Sequence, residues 1–383
     1  MRTRIRGILI IAVSAVLLLM LPLWSFAAPR TNAEVRWRIA YYEGGPWVDY
    51  QGELIALVDG LAELGWLEPV AWPSFPAADD VVYLWAWMAE NIQSDYLEFV
   101  EDAFWSSGWN TLMREENRAD ALRRLSTGAD IDLVLALGTW AGLDLANNEH
   151  SVPTLVMSTN NPIQAGIIVS ASDSGYDHVH ARTDPDRFIR QITVFHNLLG
   201  FERLGIIFDD TPEGRTYAVL DDAALVADRM GFELVTCVAP DTDVSEEEAL
   251  NSAMACIAKL APEVDAFLIT SHLALTAEHL PSVLVSLFEH DVPTWALEGP
   301  DLVRRGALMS IQRASYESIG KWQAENVNMI LNGTRPRDLD QVFEEPKSIV
   351  LNLEVARRIG FEIPPGLVVV ADVVYDEIEG DLP

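Results

Sequence analysis

The sequence predicts an α/β protein of two lobes, each a parallel sheet covered by helices. Three observations carry this. Apolar runs of strand length alternate with stretches of helical periodicity along most of the chain. The strand runs are apolar almost throughout rather than at every second position, as strands buried on both faces require. The alternation also continues for too many elements to fit one open sheet of ordinary size.

The elements follow in order. "WRIAYY" (37–42) reads as the first strand. The helix after it places Leu54, Val58, Leu61 and Leu64 on one stripe, with Ile55 and Leu57 beside them, and stops at Gly65. "IDLVLAL" (131–137) and "VPTLVMS" (152–158) are strands. The next helix opens with Asp184 as cap and Pro185 at its first position, buries Phe188, Ile192 and Phe195, and ends at Gly200. "RLGIIFDD" (203–210) and "FELVTCV" (232–238) are strands flanking the helix "YAVLDDAALVADRMG". Ser245 and Glu248 then stand in capping-box spacing before another helix. "VDAFLITS", a helix to about Glu289, "VPTWALE", "RGALMSI" and a helix ending "ILNG" complete the series. Two lobes set edge to edge bring the carboxyl ends of their strands to a shared cleft, where this architecture binds small molecules.

Residues 72–112 break the rhythm, with Trp72, Trp85, Trp87, Trp105 and Trp109 interleaved with acidic residues. "VVYLWAWMAENI" and "YLEFVEDAFW" read as amphipathic helices. They form either an inserted pair packed on the first lobe, or a cap over the cleft or docking surface for a partner.

Arg2, Arg4 and Arg6 precede an apolar stretch interrupted only by Ser14, and then Ser25-Phe26-Ala27-Ala28-Pro29. Residues 1–27 therefore read as a secretory signal cut after Ala27, with an uncleaved N-terminal anchor as the alternative. No cysteine stands near the cleavage site to take a lipid. The expected location is periplasmic, by export. Of the 383 residues, 26 are Lys or Arg and 58 are Asp or Glu, a formal charge of −32. A field of that sign repels nucleic acid and anionic headgroups. Export makes a disulfide between the two cysteines, Cys237 and Cys256, chemically possible, and free thiols remain the alternative.

Catalytic chemistry finds little support. Gly138-Thr139-Trp140-Ala141-Gly142 has the outline of a nucleophile elbow, but its central residue is Trp140, which is no nucleophile. It lacks the Lys-Ser/Thr ending of a phosphate loop and the dinucleotide glycine spacing. What remains is a helix N-terminus whose N–H groups and Thr139 hydroxyl suit a carboxylate. Neither His178/His180 nor His272/His279 has the helix spacing of a zinc protease, and no metal or cofactor is expected.

The C-terminal region reads "MILNGTRPRDLDQVFEEPKSIVLNLEVARRIGFEIPPGLVVVADVVYDE". With "LNLEVARRIGFEIPP" followed by "ADVVYDE", it resembles the tail of ABC-transporter substrate-binding proteins, of the type that includes receptors of tryptophan and tyrosine importers. "GLAELGW", "DLVLALGTWAGLDLAN", "VPTLVMSTNNPIQAGIIVS", "RLGIIFDDTPEGRTYAVL" and "VPTWALEGPDLVRRGALMSI" fit the same family in order. The resemblance covers the exported chain except residues 72–112. It implies two Rossmann-like lobes in the type I periplasmic-binding-protein (Venus-flytrap) architecture. The lobes then divide as 34–178 plus 299–331, with the Trp-rich insert in the first, and 179–298 plus 332–383.

Residue by residue, the resemblance places Glu43 and Trp47 after the first strand, Thr139 and Trp140 at the helix N-terminus, and Ser158, Thr159 and Asn160 after the next strand. From the second lobe it places Asp209 (with Asp210 and Thr216 nearby), Tyr217, Thr270, Ser271 (with His272), Glu298 and Gln312. Trp47 would stack on an aromatic or apolar ligand, and Glu298 would meet an amino group. The loop Glu43-Gly44-Gly45-Pro46-Trp47 departs most from the usual motif, so the ligand's identity is not inherited. The function implied is non-enzymatic: capture of a small, amino-acid-like or other organic solute and delivery to an ABC permease. The alternative is a sensor that passes closure to a membrane partner protein. An exported enzyme would need a nucleophile–base pair or metal constellation, and none can be assembled.

Overall fold

The structure, a computed structural model, describes residues 28–75, 81–297, 300–313, 315–344 and 346–380, with Pro300, Gln312 and Arg313 described by backbone alone. The expected signal or anchor, residues 1–27, lies outside the described residues. Among the described residues no helix is long and apolar enough to cross a membrane.

One sheet contains β1 (Trp37–Glu43), β2 (Leu97–Ser106), β3 (Leu133–Leu137), β4 (Thr154–Met157) and β5 (Val179–Ala181). Its order is β2-β1-β3-β4-β5 and every pairing is parallel. Helices α1 (Val48–Glu63), α2 (Val81–Asn91), α3 (Thr111–Thr127) and α4 (Thr139–Leu145) belong to this lobe. β3 is buried along its whole length, as its unbroken apolar sequence requires.

The second sheet contains β6 (Arg203–Phe208), β7 (Glu233–Val238), β8 (Ala266–Ile269), β9 (Thr294–Ala296), β10 (Met309–Arg313), β11 (Lys347–Asn352) and β12 (Val373–Tyr375). Its order is β12-β11-β10-β9-β8-β6-β7, parallel except between β10 and β11. Around it lie α5 (Arg187–Leu199), α6 (Pro212–Tyr217), α7 (Leu220–Met230), α8 (Glu246–Leu260), α9 (Leu280–Val283), α10 (Val285–Glu289) and α11 (Pro300–Arg304). After α12 (Tyr316–Leu331) come α13 (Leu353–Arg358) and α14 (Pro365–Val370). Phe188, Ile192 and Phe195 of α5 are buried as the periodicity predicts, and Ser245 and Glu248 close the capping box of α8. Cys237 of β7 and Cys256 of α8 are joined in a disulfide.

Three sequence expectations need correction. Residues 96–105 do not form an amphipathic helix, because 97–106 is the edge strand β2. Phe99 stands opposite Ile39 and Phe104 opposite Tyr41, so residues 100–103 face Ala40 alone. This bulge exposes Glu101 and Asp102 and breaks the period-two pattern that would have announced a strand. The other two corrections concern the lobe boundaries. Val179–Ala181 was assigned to the second lobe but pairs with Thr154–Val156 in the first sheet. Residues 309–313 were assigned to the first lobe but pair with β9 and β11 in the second. Backbone pairing decides both, and strand sequences this uniformly apolar give no hint of the neighbour.

The helix after β10, α12, does return to the first lobe, where Ala324, Val327, Ile330 and Leu331 share a core with Leu54, Leu57 and Leu61 of α1. A Cβ at Gly320 would come within 2.3 Å of the Ala56 carbonyl carbon, so α1 and α12 touch backbone to backbone. Two connecting segments pair where the chain crosses between sheets. Thr183 donates to the Gln341 carbonyl at 2.7 Å, and Phe343 donates to that of Thr183 at 3.1 Å.

Candidate functional site

Loops at the carboxyl ends of strands from both sheets meet around one cavity. After β1 the chain reaches Trp47, the extended residue that precedes α1, and Tyr50 follows in the helix's first turn. After β2, Trp109 has a positive φ of 60° and is held from both ends. Its N–H donates to the Gly44 carbonyl at 3.0 Å, and its indole N–H donates to the Pro46 carbonyl at 3.0 Å. After β3, Gly138 turns the chain into α4 with φ +87°, a value open to glycine, and Thr139 and Trp140 follow. After β4 come Ser158, also at positive φ, and Asn160. The second lobe supplies Tyr217 from α6, Asp241 and Thr242 after β7, and Ser271, His272 and Leu273 after β8. Together these residues line about 570 Å³ of atom-free space, open solvent at the mouth included.

Hydrogen bonds hold the lobes together around this cavity. Asn160 donates to the Ser271 hydroxyl at 3.1 Å and Gln164 to Asp222 at 2.7 Å. Thr111 gives its N–H and hydroxyl to the two carboxylate oxygens of Asp243, at 2.9 and 2.7 Å. Arg114 bonds Asp144 of its own lobe and Glu213 of the other, each at 3.0 Å. Its guanidinium carbon also lies 4.5 Å from the Trp140 ring centroid.

Burial pushes the Tyr50 and Tyr217 phenols well above the ordinary range, so both are neutral hydroxyls at physiological pH. Asp241 accepts the Leu273 N–H at 3.2 Å. Burial raises its pKa, and the adjoining Asp209 carboxyl raises it further. His272 accepts the Ala274 N–H on Nδ1 and directs Nε2 at the Ala239 carbonyl, both at 3.0 Å. Among the described residues no group of three or more His, Cys, Asp or Glu could hold a metal ion.

Of the residues singled out from the sequence, Trp47, Thr139, Trp140, Ser158, Asn160, Tyr217 and Ser271 line the cavity. Others do not. Glu43 is buried behind it and accepts hydrogen bonds from Tyr41 at 2.6 Å and Ser106 at 2.7 Å. Asp209 accepts from the Thr242 N–H at 3.1 Å and so supports the loop rather than lining the space. Thr159 and Thr270 are buried beside lining residues. Glu298 lies outside the described residues, as does the side chain of Gln312.

Tyr50, Trp109, Asp241 and Thr242 line the cavity without having been picked out as ligand contacts. Trp109 follows the bulged strand β2, whose sequence does not alternate, so nothing local marks it as a loop residue at a strand end. Asp241 follows "FELVTCV" as Asp209 follows its own strand, and that signal was available.

The fold and the position of the cavity define a two-lobed solute-binding architecture, that of the type I periplasmic binding proteins. A family model described as "ABC transporter substrate binding protein" matches residues 101–375, well over half the chain, and the protein belongs to that family. No curated protein matches it. Among solved structures, a conserved domain protein from Vibrio cholerae O1 biovar eltor aligns with a TM-score of 0.66 at 16% identity. The alignment covers 88% of this chain and 99% of that one. A domain from Streptococcus pneumonia in complex with L-Trp aligns at 0.65 and 18% identity, covering 88% and 99%. A ligand-free, open substrate-binding protein with adhesive properties from Clostridium difficile aligns at 0.58 and 17%, covering 89% and 99%. At these identities the likeness establishes the fold.

Proposed function

We propose that the chain is exported, captures a small organic solute of amino-acid size between its lobes, and delivers it to an ABC permease. The observation that carries this is the aromatic-lined cavity to which loops of both sheets contribute, bridged by Asn160–Ser271 and Arg114–Glu213. A ligand held there touches both lobes at once, so its binding energy favours the closed arrangement over the open one. The basic and apolar N-terminal sequence supports export, and family membership supports the partnership with a permease.

A thermal-shift screen of the purified protein against amino acids, short peptides, nucleosides, amines and organic acids tests the reading. A solute present at ~1,000 times its dissociation constant adds about 4 kcal/mol to native-state stability. A large shift with one chemical class supports the receptor. No shift with any compound, from protein shown to carry no ligand through purification, counts against it.

A further inference from the structure

The walls of the cavity differ from what a zwitterionic amino acid calls for. A free carboxylate in a partly buried site wants a guanidinium, an ammonium or several unspent N–H donors; the start of α4 offers only the end of a seven-residue helix, and its Thr139 hydroxyl is already bonded to Tyr217. Among the described residues that line the space there is no Lys or Arg. Arg114, whose guanidinium lies over Trp140, is already bonded to two carboxylates, Asp144 and Glu213. Asn160 spends its amide on Ser271 and on the Tyr217 carbonyl, the latter at 3.4 Å.

Negative charge, in contrast, is plentiful. Asp241 reaches the cavity with Asp209 directly behind it. His272 lies 3.8 Å from Asp241, with its Nε2 directed at the Ala239 carbonyl. Glu43, Glu53 and Asp49 act on the Tyr50 phenol, and Glu213 and Asp241 on that of Tyr217, where Arg114 opposes them.

The remaining walls are aromatic. Trp109 and Trp140 stand 5.5 Å apart at 72°, close to a right-angled corner. Trp47, Tyr50 and Tyr217 line the same space. Aromatic faces attract cations through their quadrupole, and several faces around one anionic group form a cage suited to an ammonium ion.

Resting on the solute-receptor reading above, we propose that the solute is an organic cation without a carboxylate: an ammonium group, free or methylated, on a small apolar or aromatic body. Asp241 supplies the counter-charge, and Trp47, Trp109 and Trp140 supply the cage. In this proposal the acid that meets the ammonium group is Asp241, on the loop after β7.

The test is calorimetry and tryptophan fluorescence with a charge-matched series: tryptamine, tryptophan and indole-3-propionate, with choline as a compact methylated cation. Tryptamine or choline should bind at least ~30-fold more tightly than tryptophan, with indole-3-propionate weaker still. Asp241→Asn should weaken cation binding by about 100-fold while leaving the melting temperature in place. If that variant fails to fold, Trp109→Leu serves instead, with an expected loss of ~10-fold or more. Tryptophan or indole-3-propionate binding as tightly as the cations, or Asp241→Asn leaving cation affinity within about threefold, would overturn the proposal. A shift in the wider screen with neutral or anionic solutes alone overturns the cation but leaves the receptor standing. A screen with no shift at all overturns both.

Discussion

Arg114 and Glu213 join the two lobes, Nη1 to Oε1 at 3.0 Å, with both side chains about one-fifth exposed. The same guanidinium lies over Trp140, so one residue couples a wall of the cavity to the opposite lobe. Glu213→Gln keeps the shape and removes the charge. Because the pair is partly solvated, the closed state should lose about 0.5–1.5 kcal/mol, and solute affinity should fall roughly 2–10-fold. Calorimetry at low and high salt checks this, since the gap between wild type and variant should narrow as screening rises. An unchanged affinity at low salt would show that the pair contributes nothing to closure.

Gly138 is the tightest point of the site. Its φ is +87°, and a Cβ there would stand 1.9 Å from the Tyr50 hydroxyl. Gly138→Ala should therefore destabilise the fold by at least about 2 kcal/mol, through strain and displacement of Tyr50. It should also weaken solute binding by ~10-fold or more, because Tyr50 lines the cavity. Urea denaturation together with a binding isotherm reads both effects. A wild-type midpoint and affinity would refute the prediction.

The Cys237–Cys256 bridge spans a separation of 19 residues. Closing a loop of that length in the unfolded chain stabilises the native state by about 3 kcal/mol. Reduction with a thiol, or replacement of both cysteines by serine, should lower the denaturation midpoint accordingly. A midpoint insensitive to reductant would show that the bridge leaves stability unaffected.

Acid should loosen the segments that cross between sheets. Burial pushes His180 down to about 4, and its Nε2 faces the Asp340 carbonyl at 3.0 Å where the crossing segments pair. In the unfolded chain the same imidazole titrates near ~6.5. Between those values the unfolded state binds the extra proton, so stability is full above about pH 6.5 and falls as pH drops toward 4. The total loss from His180 is on the order of 3 kcal/mol. Burial and the neighbouring His150 push His178 down to about 4 as well, and it acts in the same direction. Asp222 acts the opposite way: burial raises it to about 6, so its unfavourable contribution appears as pH rises from about 4 to 6. Melting temperatures from pH 7.5 to 4.5 should show a decline that His180→Gln makes shallower. Identical slopes in wild type and variant would exclude His180 as a source.

Much of the fold was legible because helices and buried strands leave local marks. The stripe Leu54–Val58–Leu61 marks a helix, and Leu133–Leu137 marks a strand covered on both faces. The edge strand β2 was not legible, since its bulge scrambles the alternation on which a strand reading depends. About the site, the sequence pointed to turns that follow strands, and Thr139, Trp140, Ser158 and Asn160 line the cavity. It could not separate Asp241, which faces the cavity, from Asp209, which supports it, because both follow strands in the same sheet.

The sequence by itself determined the α/β class, the doubling into lobes and the acidity of the whole chain, since periodicity and composition act on near neighbours and on sums. Only the tertiary structure decided which strands share a sheet, that α12 packs back on α1, and that Trp109 and Trp140 meet at a corner beside Asp241. Trp109 and Asp241 are far apart in the chain and lie on different lobes. Their meeting is fixed by backbone pairing and helix packing over the whole molecule, and no local pattern encodes it.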